Sequence, residues 1–226
     1  MPGGRFGDRV EAGRRLAEEL SAYAGRADVL VLALPRGGVP VAWEVARALD
    51  APLDIFLVRK LGVPGHEELA MGAIASGGIR VLNDEVLSQV YVPPETIDAV
   101  AERELRELER RERAYRGDRP EPPIAGRTVI VVDDGLATGS TMRAAVAALR
   151  SQNPARLVVA VPVAARETRD AFRALVDEIV CPLAPDPFYA VGMWYNDFSQ
   201  TTDDEVSELL SIARQRHSDS AMLEAR

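Results

Sequence analysis

The stretch Thr128-Val129-Ile130-Val131-Val132-Asp133-Asp134-Gly135-Leu136-Ala137-Thr138-Gly139-Ser140-Thr141 decides the fold. It joins a continuous apolar run to two carboxylates, then to a turn of small residues, and a helical pattern follows over residues 141–150. Continuous rather than alternating hydrophobicity is typical of a strand that is covered on both faces, as in a parallel sheet. The stretch therefore predicts a buried strand that runs through an acidic turn into a helix.

Similar apolar runs recur on both sides of this stretch, with helical patterns between most of them. The runs occupy residues 29–34, 53–58, 128–132, 157–163 and 178–181. The helical patterns occupy residues 9–24, 39–49, 96–115, 141–150, 167–175 and 203–214. This alternation predicts an α/β fold in a single domain, residues 1–226, with a central, mainly parallel sheet flanked by helices.

Four segments fall outside this regular alternation. Residues 71–74 and 79–82 are predicted to form a hairpin that extends the sheet at one side, with the turn at Gly77 and Gly78. Residues 95–120 form a charged helical insertion whose Glu and Arg spacing suits a solvated or dimer-edge helix. Residues 182–202 are rich in aromatic side chains, and residues 218–226 are expected to be a disordered tail.

Composition narrows the function classes. The net charge of -8 disfavours a general nucleic-acid binder, which relies on an excess of Lys and Arg. No apolar run is long enough to span a bilayer, so no membrane partner is expected. The single Cys181 cannot support an internal disulfide, and residues 1–15 lack a secretory apolar stretch. The cytoplasm is the expected location.

The turn after the buried strand has the chemistry of an anion site. Free amides at a helix N-terminus favour an anion, Gly135 and Gly139 permit close backbone approach, and Thr138, Ser140 and Thr141 add hydroxyl donors. Adjacent Asp133 and Asp134 would repel a phosphate alone. A phosphorylated ribose resolves this conflict, because its vicinal hydroxyls can donate to the carboxylates or share a hard cation with them.

Three other nucleotide motifs are disfavoured. A Walker loop requires a Lys after its last glycine, where this chain has Ser140. A dinucleotide fingerprint requires three correctly spaced glycines, which this turn lacks. A receiver domain usually carries its acidic pair after its first strand and lacks this Gly-Thr-Ser turn, and a purely structural turn is the remaining alternative.

Residues 129–141 resemble the phosphoribosyl pyrophosphate (PRPP) motif of type I phosphoribosyltransferases. The resemblance implies that Asp133 and Asp134 meet the ribose hydroxyls and Mg²⁺, while the turn from Gly135 through Leu136 to residues 137–141 wraps the 5-phosphate. It implies transfer of ribose 5-phosphate from PRPP to a small-molecule nitrogen acceptor, with release of pyrophosphate, and a homodimer is expected. The family fold, a parallel sheet flanked by helices, agrees with the pattern read from the apolar runs.

Residues 34–40, Leu-Pro-Arg-Gly-Gly-Val-Pro, join the first buried strand to the next helix. In the resemblance this is the pyrophosphate loop, where Arg36 and the amides near Gly37 and Gly38 hold the leaving group. A tight turn with a surface Arg is the alternative.

Residues 58–72 are similar to the flexible catalytic loop of adenine and xanthine phosphoribosyltransferases. Glycine and proline punctuate a loop that carries charged pairs, as expected of a lid. Arg59 and Lys60 are candidates for pyrophosphate binding or are surface charges. The candidates for catalysis are His66, Glu67, Glu68 and Lys60. The alternative is that they are only polar side chains of a surface loop.

The aromatic segment 182–202 lies where the family places the hood over the nucleobase. Phe188, Tyr189 and Trp194 are predicted to bind the base, and packing of a small second core is the alternative. The 6-oxopurine enzymes carry an Asp where this chain has Ala137, which disfavours hypoxanthine and guanine. Adenine, xanthine, orotate or an uncommon acceptor remain open. A regulatory protein that binds PRPP without turnover is the alternative function.

Overall fold

The computed structural model describes residues 4–224, with side chains to residue 217. Five strands form a parallel sheet in the order β2-β1-β6-β7-β8. They are β1 (Val29–Ala33), β2 (Leu53–Ile55), β6 (Thr128–Val132), β7 (Arg156–Ala160) and β8 (Glu178–Val180). The central, mainly parallel sheet expected from the apolar runs is confirmed.

Helices cover both faces of this sheet. They are α1 (Arg9–Glu19), α2 (Gly38–Leu49), α3 (Asp84–Gln89), α4 (Pro94–Arg116), α5 (Ser140–Arg150), α6 (Arg166–Phe172) and α7 (Asp203–Glu224). Successive residues of β6 alternate between two core clusters: Ile130 packs with α1, α2, α4 and α7, and Val131 packs with α5 and α6. Burial on both faces explains why the run carries no polar alternation.

Several helix boundaries follow from local chemistry. Asp8 caps α1 by accepting a hydrogen bond from the Glu11 amide at 2.8 Å, and Pro94 occupies the first turn of α4. Asn83 caps the short helix α3, which the apolar pattern had not indicated. Within the described residues, no helix combines the length and apolarity required to cross a membrane.

The predicted position of the hairpin is wrong. Strands β3 (Val58–Val63), β4 (His66–Ala75) and β5 (Ile79–Leu82) form a separate antiparallel sheet in the order β3-β4-β5, rather than extending the central sheet. The stretch predicted as a loop over residues 58–72 is therefore mostly a two-stranded arm with a tight turn at Pro64 and Gly65. Its apolar residues pack against α4 and α5, which gives strand pairing an advantage over an open loop.

The insertion and the tail also differ from expectation at their ends. The charged insertion is the continuous helix α4, which buries Leu108 and Tyr115. The backbone of residues 218–224 continues α7 as a helix where a disordered tail was predicted, and residues 225–226 lie outside the described residues. Residues 182–202 have little regular structure besides a 3-10 turn at Val191–Trp194.

Candidate functional site

Two strand-to-helix connections meet at the carboxyl edge of the central sheet. Strands β1 and β6 are neighbours, and their last residues, Ala33 and Val132, are paired in register. The amide of Leu34 donates to the carbonyl of Val132 at 2.9 Å. A Cβ on Gly38 would lie 2.8 Å from that same carbonyl oxygen, so glycine is required for the close approach. The loop 34–40 is therefore packed directly against the start of the acidic turn.

The acidic pair lies beneath this contact and is partly desolvated. Asp133 accepts the Asp134 amide at 2.8 Å, and the Asp134 carboxylate accepts the Arg9 Nε at 2.9 Å. The Arg9 and Asp134 side chains are 11% and 15% exposed. Burial raises the pKa of Asp133, and the neighbouring charge of Asp134 raises it further. Burial also raises the pKa of Asp134, while Arg9 opposes that rise. Such a pair would gain free energy from an added cation or from hydroxyl donors.

The turn 135–141 presents unpaired backbone donors. Within the described residues, the amides of residues 137–141 donate to no protein acceptor. The Leu136 amide instead donates to the Val163 carbonyl at 2.9 Å, so it stabilises the turn and is not available to a ligand. Gly139 has a φ of 71°, and the Thr168 hydroxyl donates to the Ala137 carbonyl at 2.6 Å. Consecutive free amides before α5 form an anion nest.

Hydroxyl groups flank these amides. The Oγ1 of Thr138 lies 3.5 Å from the Oγ of Ser140, and both Thr138 and Thr141 are exposed. In the described structure, the hydroxyl groups of Thr138 and Thr141 form no short hydrogen bond to another protein group. The turn can therefore add side-chain donors to the amides of its backbone.

The loop 34–40 forms a second, smaller donor site. In the part of the chain that the structure describes, the amides of Arg36 and Gly37 donate to no protein acceptor, whereas the Gly38 amide is used by the Leu34 carbonyl at 3.2 Å. The peptide bond between Pro35 and Arg36 is cis. The Arg36 guanidinium points toward α7, where its NH1 lies 3.9 Å from the Asp203 carboxylate. The predicted amide donors are thus available at residues 36 and 37 but not at 38.

Two of the predicted arm residues face cavities near the turn. Lys60 and Glu68 line a cavity of about 320 Å³ together with Ser140 and Arg143 of α5. Arg59 instead forms an ion pair with Glu104 of α4 at 2.6 Å. The structure therefore brings Lys60 and Glu68 to the same cavity as the start of α5.

The other two arm candidates lie at the exposed end of the hairpin. His66 and Glu67 begin β4 and are exposed. Hydrogen bonds from its own amide and from the amide of Gly65 lower the pKa of Glu67. A carboxylate stabilised in this way is a weak proton donor at neutral pH.

The hood, residues 182–202, packs against the turn. A Cβ on Gly135 would lie 2.6 Å from the side chain of Val191. Phe188 and Trp194 are partly buried against a small cluster that includes Phe6, whereas Tyr189 is 76% exposed. Two of the three aromatic candidates thus contribute to a small second core, and their contact with a base remains a prediction.

Sequence reasoning missed the residues that tie the N-terminal segment to the site. The Tyr195 hydroxyl donates to the Asp134 carbonyl at 2.6 Å, and the Phe6 amide donates to the Trp194 carbonyl at 2.8 Å. Arg9 reaches Asp134 across 125 positions of sequence. No local spacing connects Arg9 with Asp134. The only sequence signal was that Arg9 lies in the first turn of a helix, a position where acidic residues are usually favoured.

A divalent cation fits the acidic pair only in company with a substrate. Among the described residues, no group of three or more His, Cys, Asp or Glu side chains is placed to hold a metal. Mg²⁺ is commonly bound by one or two carboxylates together with water and substrate oxygens. Asp133 and Asp134, half-buried and adjacent, supply such a partial donor set.

Comparison with known proteins agrees with this geometry. A family model described as the phosphoribosyl transferase domain matches residues 6–195. Proteins provisionally assigned as phosphoribosyl transferases in two strains of Mycobacterium tuberculosis are 46% identical over 220 residues, which is 97% of this chain and 49% of theirs. The chain thus spans about half the length of these curated relatives.

A solved structure is also similar over most of its length. The crystal structure of TT1426 from Thermus thermophilus superposes with a TM-score of 0.82 at 44% sequence identity. The match covers 91% of this chain and 97% of TT1426.

Proposed function

This chain belongs to the phosphoribosyl transferase domain family, and on that premise we propose that it transfers ribose 5-phosphate from PRPP to a nitrogen acceptor. The observation that carries the proposal is the run of free amides at residues 137–141 beside the partly desolvated carboxylates of Asp133 and Asp134. The amides suit a 5-phosphate, and the carboxylates suit the ribose hydroxyls.

Each of the two loops would bind a different part of the donor. The turn 135–141 would hold the 5-phosphate, with the hydroxyls of Thr138, Ser140 and Thr141 adding donors. The free amides of Arg36 and Gly37 would hold the pyrophosphate as it leaves. Asp133 and Asp134 would hold Mg²⁺ together with the ribose hydroxyls, and the bound cation would neutralise charge on the departing pyrophosphate.

In the proposed reaction the bond from the anomeric carbon to pyrophosphate breaks and a bond to the acceptor nitrogen forms. The nitrogen would pass its proton to Glu68, the arm carboxylate that faces a cavity shared with Ser140 and Lys60. Positive charge develops on the sugar ring, so preorganised carboxylates nearby stabilise it. Exclusion of water by the arm would protect the donor from hydrolysis.

The acceptor is proposed to be a nucleobase. The hood lies against Gly135, and its aromatic side chains Phe188, Tyr189 and Trp194 can offer flat surfaces to a heterocycle. Ala137 leaves the turn without the carboxylate that the hypoxanthine and guanine enzymes carry there, which favours an acceptor of adenine, xanthine or orotate type.

The test is pyrophosphate release from PRPP with Mg²⁺ over a panel of nucleobases. The double variant Asp133→Asn, Asp134→Asn should lose PRPP affinity measured by calorimetry, because it removes the charges but keeps the shape. Unchanged PRPP affinity in this variant would refute the site. Binding of PRPP by the natural chain without turnover on any base would instead favour a regulatory binding protein.

A further inference from the structure

Helix α4 carries an exposed arginine at the edge of the face that it turns toward the core. Residues 104, 108, 111 and 115 follow the spacing of one helical face. Leu108 and Tyr115 on this face are buried, and Glu104 pairs with Arg59 of the arm. Arg111 occupies the remaining position and is 49% exposed. The buried face of α4 is therefore bordered by the partly exposed guanidinium of Arg111, which shares the carboxylate of Glu107.

Arg111 lines two adjoining cavities. The first, of about 50 Å³, is also lined by Pro35, Arg59 and Thr141. The second, of about 150 Å³, is also lined by Arg36 and by further residues of α4 and α7. Arg111 is thus placed between the loop 34–40, the arm and the beginning of α5.

The cavities are rich in guanidinium groups. Four arginines line them, and three carboxylates pair with those arginines, which leaves one positive charge in excess. The arginines are Arg36, Arg59, Arg110 and Arg111, and the carboxylates are Glu104, Glu107 and Asp203.

The pairing of these charges is uneven. Glu107 is shared by Arg110 at 2.8 Å and Arg111 at 2.9 Å, so one carboxylate serves two guanidinium groups. Asp203 lies 3.9 Å from Arg36, at the outer limit of an ion pair, and also accepts a hydrogen bond from Tyr115. Because these pairs are exposed or shared, an incoming anion can compete for the guanidinium groups at small cost.

We propose that Arg111 of α4 binds the pyrophosphate group of the sugar donor from the side opposite the loop 34–40. The identity of the donor rests on the proposed function, whereas the affinity for pyrophosphate follows from the arginine groove itself. A guanidinium presents paired donors that match two phosphate oxygens, and Arg111 has Arg36 and Arg59 on either side. Helix α4 is then a wall of the site and not only a charged surface helix.

The test compares Arg111→Met with Arg113→Met in the full chain. Arg113 lies on the same helix, is exposed and forms no ion pair in the described structure, so its variant removes the same charge outside the groove. Binding of inorganic pyrophosphate and of ribose 5-phosphate is measured separately by titration calorimetry. Arg111→Met should weaken pyrophosphate binding roughly ten- to a hundredfold and leave ribose 5-phosphate binding unchanged. Arg113→Met should change neither.

Arg111→Lys keeps the charge but loses the paired donors, and an intermediate pyrophosphate affinity is expected. It also serves if Arg111→Met fails to fold, which thermal unfolding would reveal. Pyrophosphate affinity equal to that of the natural chain in both Arg111 variants would overturn the inference, as would an equal loss of ribose 5-phosphate affinity. No measurable pyrophosphate binding by the natural chain would overturn it too.

The role of Arg111 and the proposed transferase activity can fail independently of each other. Loss of pyrophosphate affinity in Arg111→Met, with no transfer by the natural chain to any base, would support the groove and refute the transferase. Transfer by the natural chain with unchanged pyrophosphate affinity in the Arg111 variants would do the reverse.

Discussion

Replacing Arg9 with Gln should lower the free energy of unfolding by about 2–4 kcal/mol at pH 8. Arg9 donates to Asp134 at 2.9 Å and to the Ser199 carbonyl at 2.7 Å, and its guanidinium lies 4.0 Å from the centre of the Phe198 ring. Removing one partner of a buried ion pair usually costs about 3–5 kcal/mol. The smaller loss of about 2–4 kcal/mol is expected here because the Arg9 and Asp134 side chains retain some exposure and Gln can keep one hydrogen bond.

The loss should be smaller at pH 5 than at pH 8. Burial raises the pKa of Asp134, and Arg9 opposes this effect, so the variant raises the pKa further. A carboxyl group with a raised pKa in the folded state holds a proton that the unfolded chain releases. Stability therefore falls as pH rises from the unfolded pKa through the folded pKa, and the fall is larger without Arg9.

Urea unfolding followed by circular dichroism at pH 5 and pH 8 measures both effects. Arg5→Gln is the matched control, because Arg5 is exposed in the same N-terminal segment and its variant removes the same charge. The control should change stability by less than about 0.5 kcal/mol. A loss below about 1 kcal/mol for Arg9→Gln, or the same loss at both pH values, would refute the reasoning.

Other contacts give three further predictions. Gly38→Ala should cost about 1–3 kcal/mol in urea unfolding, because its Cβ would meet the Val132 carbonyl at 2.8 Å, whereas Gly4→Ala, with open space around it, should cost little; equal costs would contradict this. Burial raises the pKa of Glu112, so the natural chain should lose stability as pH rises through the window above the unfolded pKa. The thermal midpoint of Glu112→Gln, relative to that of the natural chain, should therefore rise between pH 4 and pH 8. A difference in midpoint that does not change with pH would contradict this prediction. Burial raises the pKa of the Cys181 thiol to about 11, so iodoacetamide at pH 8 should label it about a hundredfold more slowly in the folded than in the urea-unfolded chain, and similar rates would contradict the burial argument.

The central sheet and the acidic turn could be predicted because their signals are local. The run at residues 128–132 is buried on both faces, so its continuous apolar character alone indicates a buried strand of a parallel sheet. The free amides at residues 137–141 follow from a strand that turns directly into a helix. Nothing further along the chain had to be known.

The rest depends on contacts between distant segments. The apolar pattern of β4 is the same whether it joins the central sheet or a separate one, so sequence alone did not distinguish them. Arg9 and Tyr195 reach Asp134 through tertiary packing of the N-terminal segment against the hood. Arg111 has the local spacing of an exposed ion pair with Glu107, and only the packing of α4 reveals the cavities beside it.

The three-stranded sheet has a mechanical consequence. Within residues 58–82 of the described chain, the backbone ladder joins β3, β4 and β5 to one another and not to the central sheet. A tilt of this arm would exchange side-chain contacts and ion pairs such as Arg59 with Glu104, while every rung of both ladders stayed intact. Side-chain packing and ion pairs, rather than a shared backbone ladder, therefore hold the three-stranded sheet against the five-stranded core.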